Sequence, residues 1–343
     1  MKAAVLVKAG EKLQVKEMPD PKAGPQEVVI KVAACGVCHT DLHYIEYGVP
    51  TFKEPPVILG HETSGTVYEL GEEVDDLEVG ARVLLPAVVT CGKCRLCRIG
   101  KENICQNMVM FGNHVHGSYA EFVVAKAKDV FRLPDSLPLE EAAIIADAIS
   151  TPFHAVVNRG RVRPGDTVVV FGCGGVGINA VQVAAACGAY VIAVDIADRK
   201  LAWAEQFGAS KTLNISGVDK VASEIRKLTG GGGADIVFEA IGRPETIATA
   251  FDCVQAGGRL VVIGYTDQNV QFSGAKIMFK ETEILGSLGC RPVDYPRILK
   301  MCVEGTIKVK PLVTHRFGLD DLDQAFELMK TGESLRSIVI PSL

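Results

Sequence analysis

The chain has 343 residues and a formal net charge of -5 at pH 7. Its 48% hydrophobic and 22% charged residues are typical of a soluble globular enzyme and argue against a disordered chain. The negative charge argues against nucleic acid as a ligand, because phosphate binding needs a basic surface. The length exceeds that of one ordinary hydrophobic core and therefore predicts two domains.

The N-terminal segment argues against export and membrane insertion. Residues 1–7 are apolar only briefly before Lys8, which is too short for a signal peptide or a membrane span. We therefore expect a cytoplasmic protein that does not bind membranes. The 11 cysteines then lie in a reducing compartment, where metal ligands and core thiols are more common than disulfides.

The first 150 residues are predicted to be rich in β-strands. Short β-branched or alternating runs predict the strands, and breaks rich in Gly, Pro and Asp separate them. The predicted strands cover residues 3–7, 28–32, 65–69, 82–85 and 120–124. An antiparallel or barrel-like domain follows from this pattern. Residues 139–145 then predict a helix with acidic residues in its first turn.

From residue 167 the pattern alternates between apolar strands and helices. The predicted strands cover residues 167–171, 190–195, 236–239, 259–263 and 283–285, and helices include 178–187 and 199–207. This alternation predicts βαβ units and a parallel sheet. A last helix over 318–330 and a strand over 338–340 are expected to return to the first domain.

Cys38, His61 and Glu62 form the first candidate site. A thiolate, an imidazole and a carboxylate suit a borderline-soft divalent ion, and zinc accepts all three. Thr40 and His43 follow the cysteine closely and are able to pass a proton to water. The pattern therefore predicts an open metal site with one position left for a substrate oxygen.

A second cysteine cluster has the spacing C-x2-C-x2-C-x7-C. It consists of Cys91, Cys94, Cys97 and Cys105. Four thiolates complete a closed tetrahedral zinc site, which holds a loop and leaves no room for substrate. Four cysteines also hold iron–sulfur clusters, whose typical spacings differ from this one. We therefore predict a structural zinc.

A glycine-rich turn follows the predicted strand at 167–171. Residues 172–177 read G-x-G-x-x-G and lead into a helix, which is typical of a dinucleotide-binding turn. Gly172 makes the turn, Gly174 admits a pyrophosphate, and Gly177 packs helix on strand. Asp195 ends the next strand and favours NAD, although Arg199 and Lys200 leave NADP open. The candidate cofactor contacts in this region are Gly172, Gly174, Gly175, Val176, Gly177, Asp195 and Lys200.

Together these three motifs resemble the zinc-dependent alcohol dehydrogenases of the medium-chain dehydrogenase/reductase superfamily. The run Gly60-His61-Glu62-x2-Gly65-x5-Gly71-x2-Val74 matches the zinc signature of that family. The resemblance covers essentially the whole chain. It implies an α/β protein with a GroES-like β-rich catalytic domain over residues 1–150, to which 289–343 returns. A Rossmann domain with a doubly wound parallel sheet is implied over 151–288.

The resemblance also assigns roles to individual residues. It makes Asp147 the third ligand of a catalytic zinc held by Cys38 and His61, and Glu62 a carboxylate able to ligate in place of water. It makes Thr40 and His43 a proton relay. Asp41 is similar to a residue that supports the metal ligands. Further cofactor contacts are implied at His39, Thr151, Ile263, Gly264, Ser287, Leu288 and Arg336.

The activity implied by the resemblance is hydride transfer between an alcohol and NAD, with two zinc ions per subunit in a homotetramer or a homodimer. Small residues at Ala87 and Val88 replace larger pocket side chains of related enzymes, which favours a secondary or cyclic alcohol. A cyclic hydroxyacyl-CoA or a polyol is an alternative substrate. A non-catalytic regulatory protein that binds zinc and NAD is a second alternative.

Overall fold

A computed structural model describes all residues, 1–343. The chain divides into two compact units, residues 1–150 with 289–343 and residues 151–288. We refer to them as unit 1 and unit 2. None of the helices has the length and apolar character that crossing a membrane requires.

The N-terminal part of unit 1 consists mainly of short strands. These are β1 (Lys2–Leu6), β2 (Gln14–Glu17), β3 (Glu27–Gly36), β4 (Val57–Ile58), β5 (Glu62–Leu70), β6 (Arg82–Leu85), β7 (Val88–Val89), β8 (Val109–Met110), β9 (Phe122–Lys126) and β10 (Phe131–Arg132). The α-helices are α1 (His39–Ile45) and α2 (Arg95–Arg98), and 3-10 helices span Glu102–Ile104, Ala127–Asp129 and Glu141–Ala146.

Strand β3 is the centre of the largest sheet in unit 1. It pairs antiparallel with β5 and with β9. Val28, Ile30 and Val32 are buried in one hydrophobic core, whereas Lys31 between them is exposed. This alternation explains why the sequence pattern predicted a strand here. The strand extends beyond the predicted 28–32 because it has a hydrogen-bonded neighbour on each side.

The helix predicted over residues 139–145 is a 3-10 helix, Glu141–Ala146. All six of its residues are buried, and the segment packs against β5. A 3-10 helix is narrower than an α-helix and is used in short pieces, which suits a buried segment without a polar face. The prediction of a helix is therefore confirmed, with bounds shifted to 141–146, and the structure adds that the helix is of the 3-10 type.

Unit 2 alternates strands and helices as predicted. Its strands are β11 (Thr167–Phe171), β12 (Tyr190–Asp195), β13 (Lys211–Asn214), β14 (Ala234–Glu239), β15 (Val254–Val262) and β16 (Glu283–Gly286). Its helices are α3 (Ser150–Phe153, which begins at the last residue of unit 1), α4 (Gly177–Ala186), α5 (Asp198–Gln206), α6 (Val221–Leu228), α7 (Pro244–Asp252) and α8 (Gly274–Lys280). A π-helix, His154–Gly160, continues α3.

The six strands of unit 2 form one parallel sheet in the order β13-β12-β11-β14-β15-β16. The predicted parallel sheet is thus confirmed. Strand β11 lies in the middle of the sheet. The chain adds β12 and β13 on one side of it and then β14, β15 and β16 on the other side, so the direction of winding changes at β11. In doubly wound sheets, ligands bind at the carboxyl ends of the strands at such a point.

The C-terminal segment completes unit 1. It contains α9 (Tyr295–Val303), β17 (Val313–Phe317), α10 (Leu322–Lys330) and β18 (Arg336–Val339). Strand β18 pairs antiparallel with the end of β3, and β17 pairs parallel with β18. The apolar face of α10, which includes Leu322 and Phe326, is buried in one cluster with β1 residues such as Val5.

Candidate active site

The register between β3 and β5 brings Cys38 and His61 together. Gly36, the last residue of β3, is paired with Glu62, the first residue of β5. Cys38 follows the end of one strand and His61 precedes the start of the other, so antiparallel pairing makes them neighbours. A Cβ atom at Gly36 would overlap the Glu62 carboxylate. The approach of the two strands at this point therefore requires glycine.

Cys38, His61, Glu62 and Asp147 each direct one ligand atom to a common position. The four atoms lie within 4.8 Å of one another. Asp147 comes from the residue after the Glu141–Ala146 helix, and its Oδ2 lies 3.8 Å from His61 Nε2. Cys38, His61 and Glu62 are buried, whereas the Asp147 side chain is 21% exposed. The group therefore faces solvent only on the side of Asp147.

The buried polar atoms of this group fit a metal ion. Neither ring nitrogen of His61 has a hydrogen-bond partner, and the same holds for Glu62 Oε1. Buried polar atoms are normally paired, because leaving them without a partner costs free energy. A sulfur, a nitrogen and carboxylate oxygens form a donor set that zinc accepts. We conclude that the residues present fit zinc.

The electrostatic surroundings favour a cation at this position. Burial alone lowers the pKa of His61, but the Asp41 carboxylate and the Cys38 sulfur raise it well above its usual value. Burial raises the pKa of Glu62 to about 7, while the Arg336 guanidinium acts in the opposite direction. Anionic groups therefore surround His61, and they favour a proton or a metal ion there.

Arg336 is buried beside Glu62. The register between β18 and β3 pairs Ile338 with Gly36, which brings Arg336 close to Glu62. Its guanidinium donates a hydrogen bond to Glu62 Oε2, and its side chain is 6% exposed. Its implied contact with the cofactor stays a prediction.

His61 has a second neighbour in Asp41. Asp41 Oδ1 lies 3.6 Å from His61 Nδ1, and Oδ2 accepts a hydrogen bond of 2.7 Å from the hydroxyl of Tyr119. Asp41 and Tyr119 are fully buried. A carboxylate beside a metal-binding histidine orients its ring and makes it a better ligand. Tyr119 was not predicted, because no short motif links it to Asp41.

Helix α1 carries the remaining residues predicted near the metal. Thr40 Oγ1 lies 3.5 Å from Cys38 Sγ. His43 is half-buried and follows Thr40 by three residues, so both lie on one face of the helix. His39 is exposed at the first position of the helix. The predicted proton relay thus begins beside the metal-binding group.

The second cysteine cluster also converges. The sulfur of Cys94 lies 3.5 Å from that of Cys97 and 3.8 Å from that of Cys105, and Cys105 lies 3.5 Å from Cys91. Four sulfurs bound to one zinc at about 2.3 Å lie about 3.8 Å apart. These separations exceed disulfide lengths, and all four thiols are free. The cluster therefore fits a closed zinc site.

Backbone N–H groups donate hydrogen bonds to sulfurs of this cluster. Those of Lys93 and Cys94 lower the pKa of Cys91 to about 6. The N–H of Asn107 donates to the sulfur of Cys105 at 3.3 Å. The lowered pKa favours the thiolate of Cys91, which is the form that binds a metal.

The glycine-rich turn of unit 2 connects β11 to α4. Gly172 has a φ of +88°, which favours glycine. A Cβ atom at Gly177 would overlap the carbonyl oxygen of Gly172, whereas one at Gly174 would meet nothing within 4 Å. Gly177 is therefore needed for packing, and Gly174 leaves open space beside the backbone. A pyrophosphate approaches this position in dinucleotide-binding folds.

Asp195 holds the glycine-rich turn from the end of β12. Its Oδ2 accepts a hydrogen bond of 2.8 Å from the backbone N–H of Cys173, and its Oδ1 accepts from Ile196 and Ala197. The carboxylate is 6% exposed. Lys200 is the third residue of α5 and is half-buried. Asp195, which the sequence predicts to favour NAD, thus accepts the hydrogen bonds that order the turn, and its contact with the cofactor stays a prediction.

Four of the further residues predicted to contact the cofactor follow parallel strands of unit 2. Ile263 and Gly264 follow β15, Ser287 and Leu288 follow β16, and Thr151 lies in α3. The carboxyl ends of parallel strands share one edge, so the first four lie at the binding edge of the sheet. The Ser287 hydroxyl is buried without a hydrogen-bond partner.

Glu239, at the end of β14, was not predicted. Its carboxylate accepts hydrogen bonds from the N–H groups of Ile241 and Gly242 and from the Thr246 hydroxyl. Its backbone carbonyl accepts from the N–H groups of Ile263 and Gly264. Glu239 thus orders the two loops that follow β14 and β15. The only sign of this in the sequence is an acidic residue at the end of a buried strand.

Known protein families match both units. The family described as alcohol dehydrogenase GroES-like domain matches residues 24–135, and the family described as zinc-binding dehydrogenase matches residues 175–304. A solved structure of an NAD-dependent alcohol dehydrogenase superposes with a TM-score of 0.92 at 30% identity, covering 99% of each chain.

Two relatives match along their full lengths. An alcohol dehydrogenase of Geobacillus stearothermophilus is 36% identical, with 99% of both chains covered. A sorbitol dehydrogenase of Bacillus subtilis is 34% identical, with 100% of this chain and 98% of the relative covered. These matches confirm the resemblance drawn from the motifs and the predicted fold class of a GroES-like and a Rossmann domain. The chain belongs to the zinc-dependent alcohol dehydrogenases of the medium-chain dehydrogenase/reductase superfamily.

Proposed function

We propose that this protein oxidises a secondary or cyclic alcohol to a ketone with NAD, and that it catalyses the reverse reaction as well. Membership of the family makes it an oxidoreductase that acts on small-molecule alcohols with zinc and NAD. The observation that carries the proposal is the approach of Cys38, His61, Glu62 and Asp147 to within 4.8 Å. When bound, zinc acts as a Lewis acid on the alcohol and NAD accepts the hydride.

Each ligand has a distinct task in this proposal. Cys38 and Asp147 supply two negative charges that balance a divalent ion, and His61 supplies a neutral nitrogen held by Asp41. An Asp oxygen is a harder donor than a second thiolate, which leaves the ion more electrophilic. Glu62 Oε1 has no partner and is the oxygen available as a further ligand, while Arg336 holds Oε2.

Thr40 and His43 remove the alcohol proton in this proposal. The position of Thr40 Oγ1 at 3.5 Å from the Cys38 sulfur supports this role, since a hydroxyl there can accept a hydrogen bond from substrate. His43 lies on the same helical face and leads the proton away from the metal-binding group. General acid–base groups of this kind contribute about 100-fold to 10,000-fold to a rate.

NAD is proposed to bind along the carboxyl ends of the parallel strands of unit 2. Asp195 favours NAD over NADP, because a carboxylate repels a 2′-phosphate. The open space at Gly174 and the unpartnered hydroxyl of Ser287 support this placement. The remaining proposed contacts within unit 2 are Gly172, Gly175, Val176, Gly177, Lys200, Thr151, Ile263, Gly264 and Leu288.

A small side chain beside Asp147 supports the preference for a secondary or cyclic alcohol. The N–H of Ala87 faces the carbonyl of Ala146 at 3.5 Å, so Ala87 lies next to the peptide that precedes Asp147. A methyl group there leaves room for a second substituent on the carbinol carbon. The name of the Bacillus subtilis relative favours a polyol as the second candidate.

We also propose a cytoplasmic homotetramer, with a homodimer as the alternative. Strand β16 is an edge of the parallel sheet, and the nearby Met278 and Phe279 are 61% and 80% exposed. Unpaired edges and exposed apolar side chains favour association. All eleven cysteines are free, which supports a reducing compartment.

A substrate panel tests the proposed function. Purified protein is mixed with NAD or NADP and with secondary, cyclic, polyol and hydroxyacyl-CoA substrates, and absorbance of the reduced cofactor is followed. We expect the highest kcat/KM with NAD and a secondary or cyclic alcohol. A flat trace over the whole panel would favour the non-catalytic regulatory alternative.

A further inference from the structure

The backbone around Asp147 is irregular. Asp147 lies between the Glu141–Ala146 helix and the short α3 helix, with φ of -141° and ψ of -56°. These angles lie outside the helical and extended regions. The orientation of the peptide between Ala146 and Asp147 sets the direction of the Asp147 side chain.

Two side-chain hydroxyls hold the carbonyl oxygen of Ala146. The hydroxyl of Tyr295 donates to it at 2.7 Å, and the hydroxyl of Ser150 donates at 3.0 Å. Tyr295 is 3% exposed and Ser150 is 1% exposed. Water therefore does not compete for this carbonyl. The two hydroxyls, together with the more distant N–H of Ala87 at 3.5 Å, hold the Ala146–Asp147 peptide.

Tyr295 is itself held rigidly. It is the first residue of α9, and its ring stacks on Phe131 with centroids 5.0 Å apart. Just before it, Arg291 forms two hydrogen bonds of 2.9 and 3.0 Å with the buried carboxylate of Asp294. The Tyr295 ring is therefore fixed in place, and its hydroxyl can hold the Ala146 carbonyl in one orientation.

We propose that Tyr295 is a positioning residue that orients Asp147 for metal binding through the carbonyl of Ala146. The inference rests on the proposed role of Asp147 as a ligand. Loss of such supporting hydrogen bonds typically weakens metal binding about 10-fold to 100-fold. The effect is confined to the site of Cys38, His61 and Asp147, because the four-cysteine cluster does not contact Tyr295.

Tyr295→Phe tests the inference, because it removes the hydroxyl and keeps the stacked ring. Zinc-loaded protein is titrated with a chromogenic chelator, and re-metallation with Co²⁺ is followed through visible bands that differ between one-thiolate and four-thiolate sites. We expect about 10-fold weaker binding at the one-thiolate site and unchanged binding at the other. Ser150→Ala should weaken the same site.

Thr229→Val is the matched control. It removes a hydroxyl that donates to the backbone carbonyl of Ile225 at 2.9 Å. Thr229 is far in sequence from the residues of both proposed zinc sites. We expect it to lower stability without changing either metal affinity. Wild-type affinity in Tyr295→Phe, or an equal loss at both sites, would overturn the inference.

A further variant separates the inference from the proposal on which it rests. Asp147→Asn removes the anionic donor and should weaken the one-thiolate site more than Tyr295→Phe does. Unchanged affinity in Asp147→Asn would remove Asp147 from the ligand set, and the inference with it. Weaker binding in Asp147→Asn together with normal binding in Tyr295→Phe would overturn the inference alone.

Discussion

Arg336 donates a hydrogen bond to Glu62, the residue that follows His61, and both side chains are buried. The two residues come from opposite ends of unit 1, and the pairing of β18 with β3 and of β3 with β5 brings them together. The C-terminal strand thus supplies the cation that balances a carboxylate of the metal-binding group.

Arg336→Met should destabilise the protein by about 3–5 kcal/mol, because it leaves a buried carboxylate without its cation. Urea unfolding measures the loss. Burial raises the pKa of Glu62 to about 7 in the presence of Arg336, and removal of the guanidinium raises that pKa further. Protonation of Glu62 removes the unpaired charge, so the loss should be larger at pH 8 than at pH 6.

The double variant Glu62→Gln/Arg336→Met is the control for this pair. It removes both charges together and should recover most of the loss, since replacing a buried ion pair by neutral groups is often close to neutral. An equal loss in the single and double variants would contradict the pairing.

Cys97→Ser should remove one zinc ion per chain and lower the thermal unfolding temperature, because a closed zinc site contributes directly to folding. Cys253→Ser is the control. Cys253 is fully buried in the core of unit 2, so serine also destabilises there, but the zinc content should not change. Metal analysis of both variants decides the matter, and full zinc content in Cys97→Ser would rule out the cysteine cluster as a ligand set.

Gly174→Ala and Gly177→Ala should impair different properties of the protein, NAD binding in the first variant and stability in the second. A methyl group at position 174 meets nothing within 4 Å, so the fold should be kept while NAD binding weakens about tenfold or more. A methyl group at position 177 overlaps the backbone of the turn, so the fold itself should be destabilised. Calorimetric titration with NAD and thermal unfolding separate the two. Wild-type NAD affinity in Gly174→Ala would show that this turn does not hold the pyrophosphate.

His43→Ala should lower kcat about tenfold or more, chiefly at low pH, because solvent bases that can replace the imidazole are scarce there. The pH profile of kcat measures this change. His315→Ala is the control, since the His315 ring contacts the neighbouring Thr314 and Phe317 and has no part in the proposed relay. A pH profile in His43→Ala identical to that of the wild type would contradict the relay.

Much of unit 2 could be predicted from the sequence. The predicted bounds of Thr167–Phe171 and Tyr190–Asp195 match the strands. Strands inside a parallel sheet are covered on both faces and therefore form continuous apolar runs bounded by turn residues. The four cysteines could be chosen by residue type and spacing, because such a dense, regular set of thiols suits a closed zinc site. Cys38 and His61 became strong candidates only together with the other motifs of the chain.

The other parts of the candidate site depend on contacts between residues that are far apart in the sequence. Asp147 has no motif of its own and could be assigned only through the family resemblance. Tyr295 reaches Ala146 across 149 residues of sequence, and no local pattern marks a tyrosine hydroxyl that supports a backbone carbonyl. The pairing of Arg336 with Glu62 likewise follows from sheet register, which hydrophobic alternation does not specify between strands so far apart.

The zinc content and the NAD-dependent activity of His61→Ala test the central claim most directly. We predict that the wild-type protein holds two zinc ions per chain, one for each group of ligands. His61→Ala should hold one, bind NAD as the wild type does, and produce no reduced cofactor with any alcohol. Two zinc ions and normal turnover in His61→Ala would contradict the account.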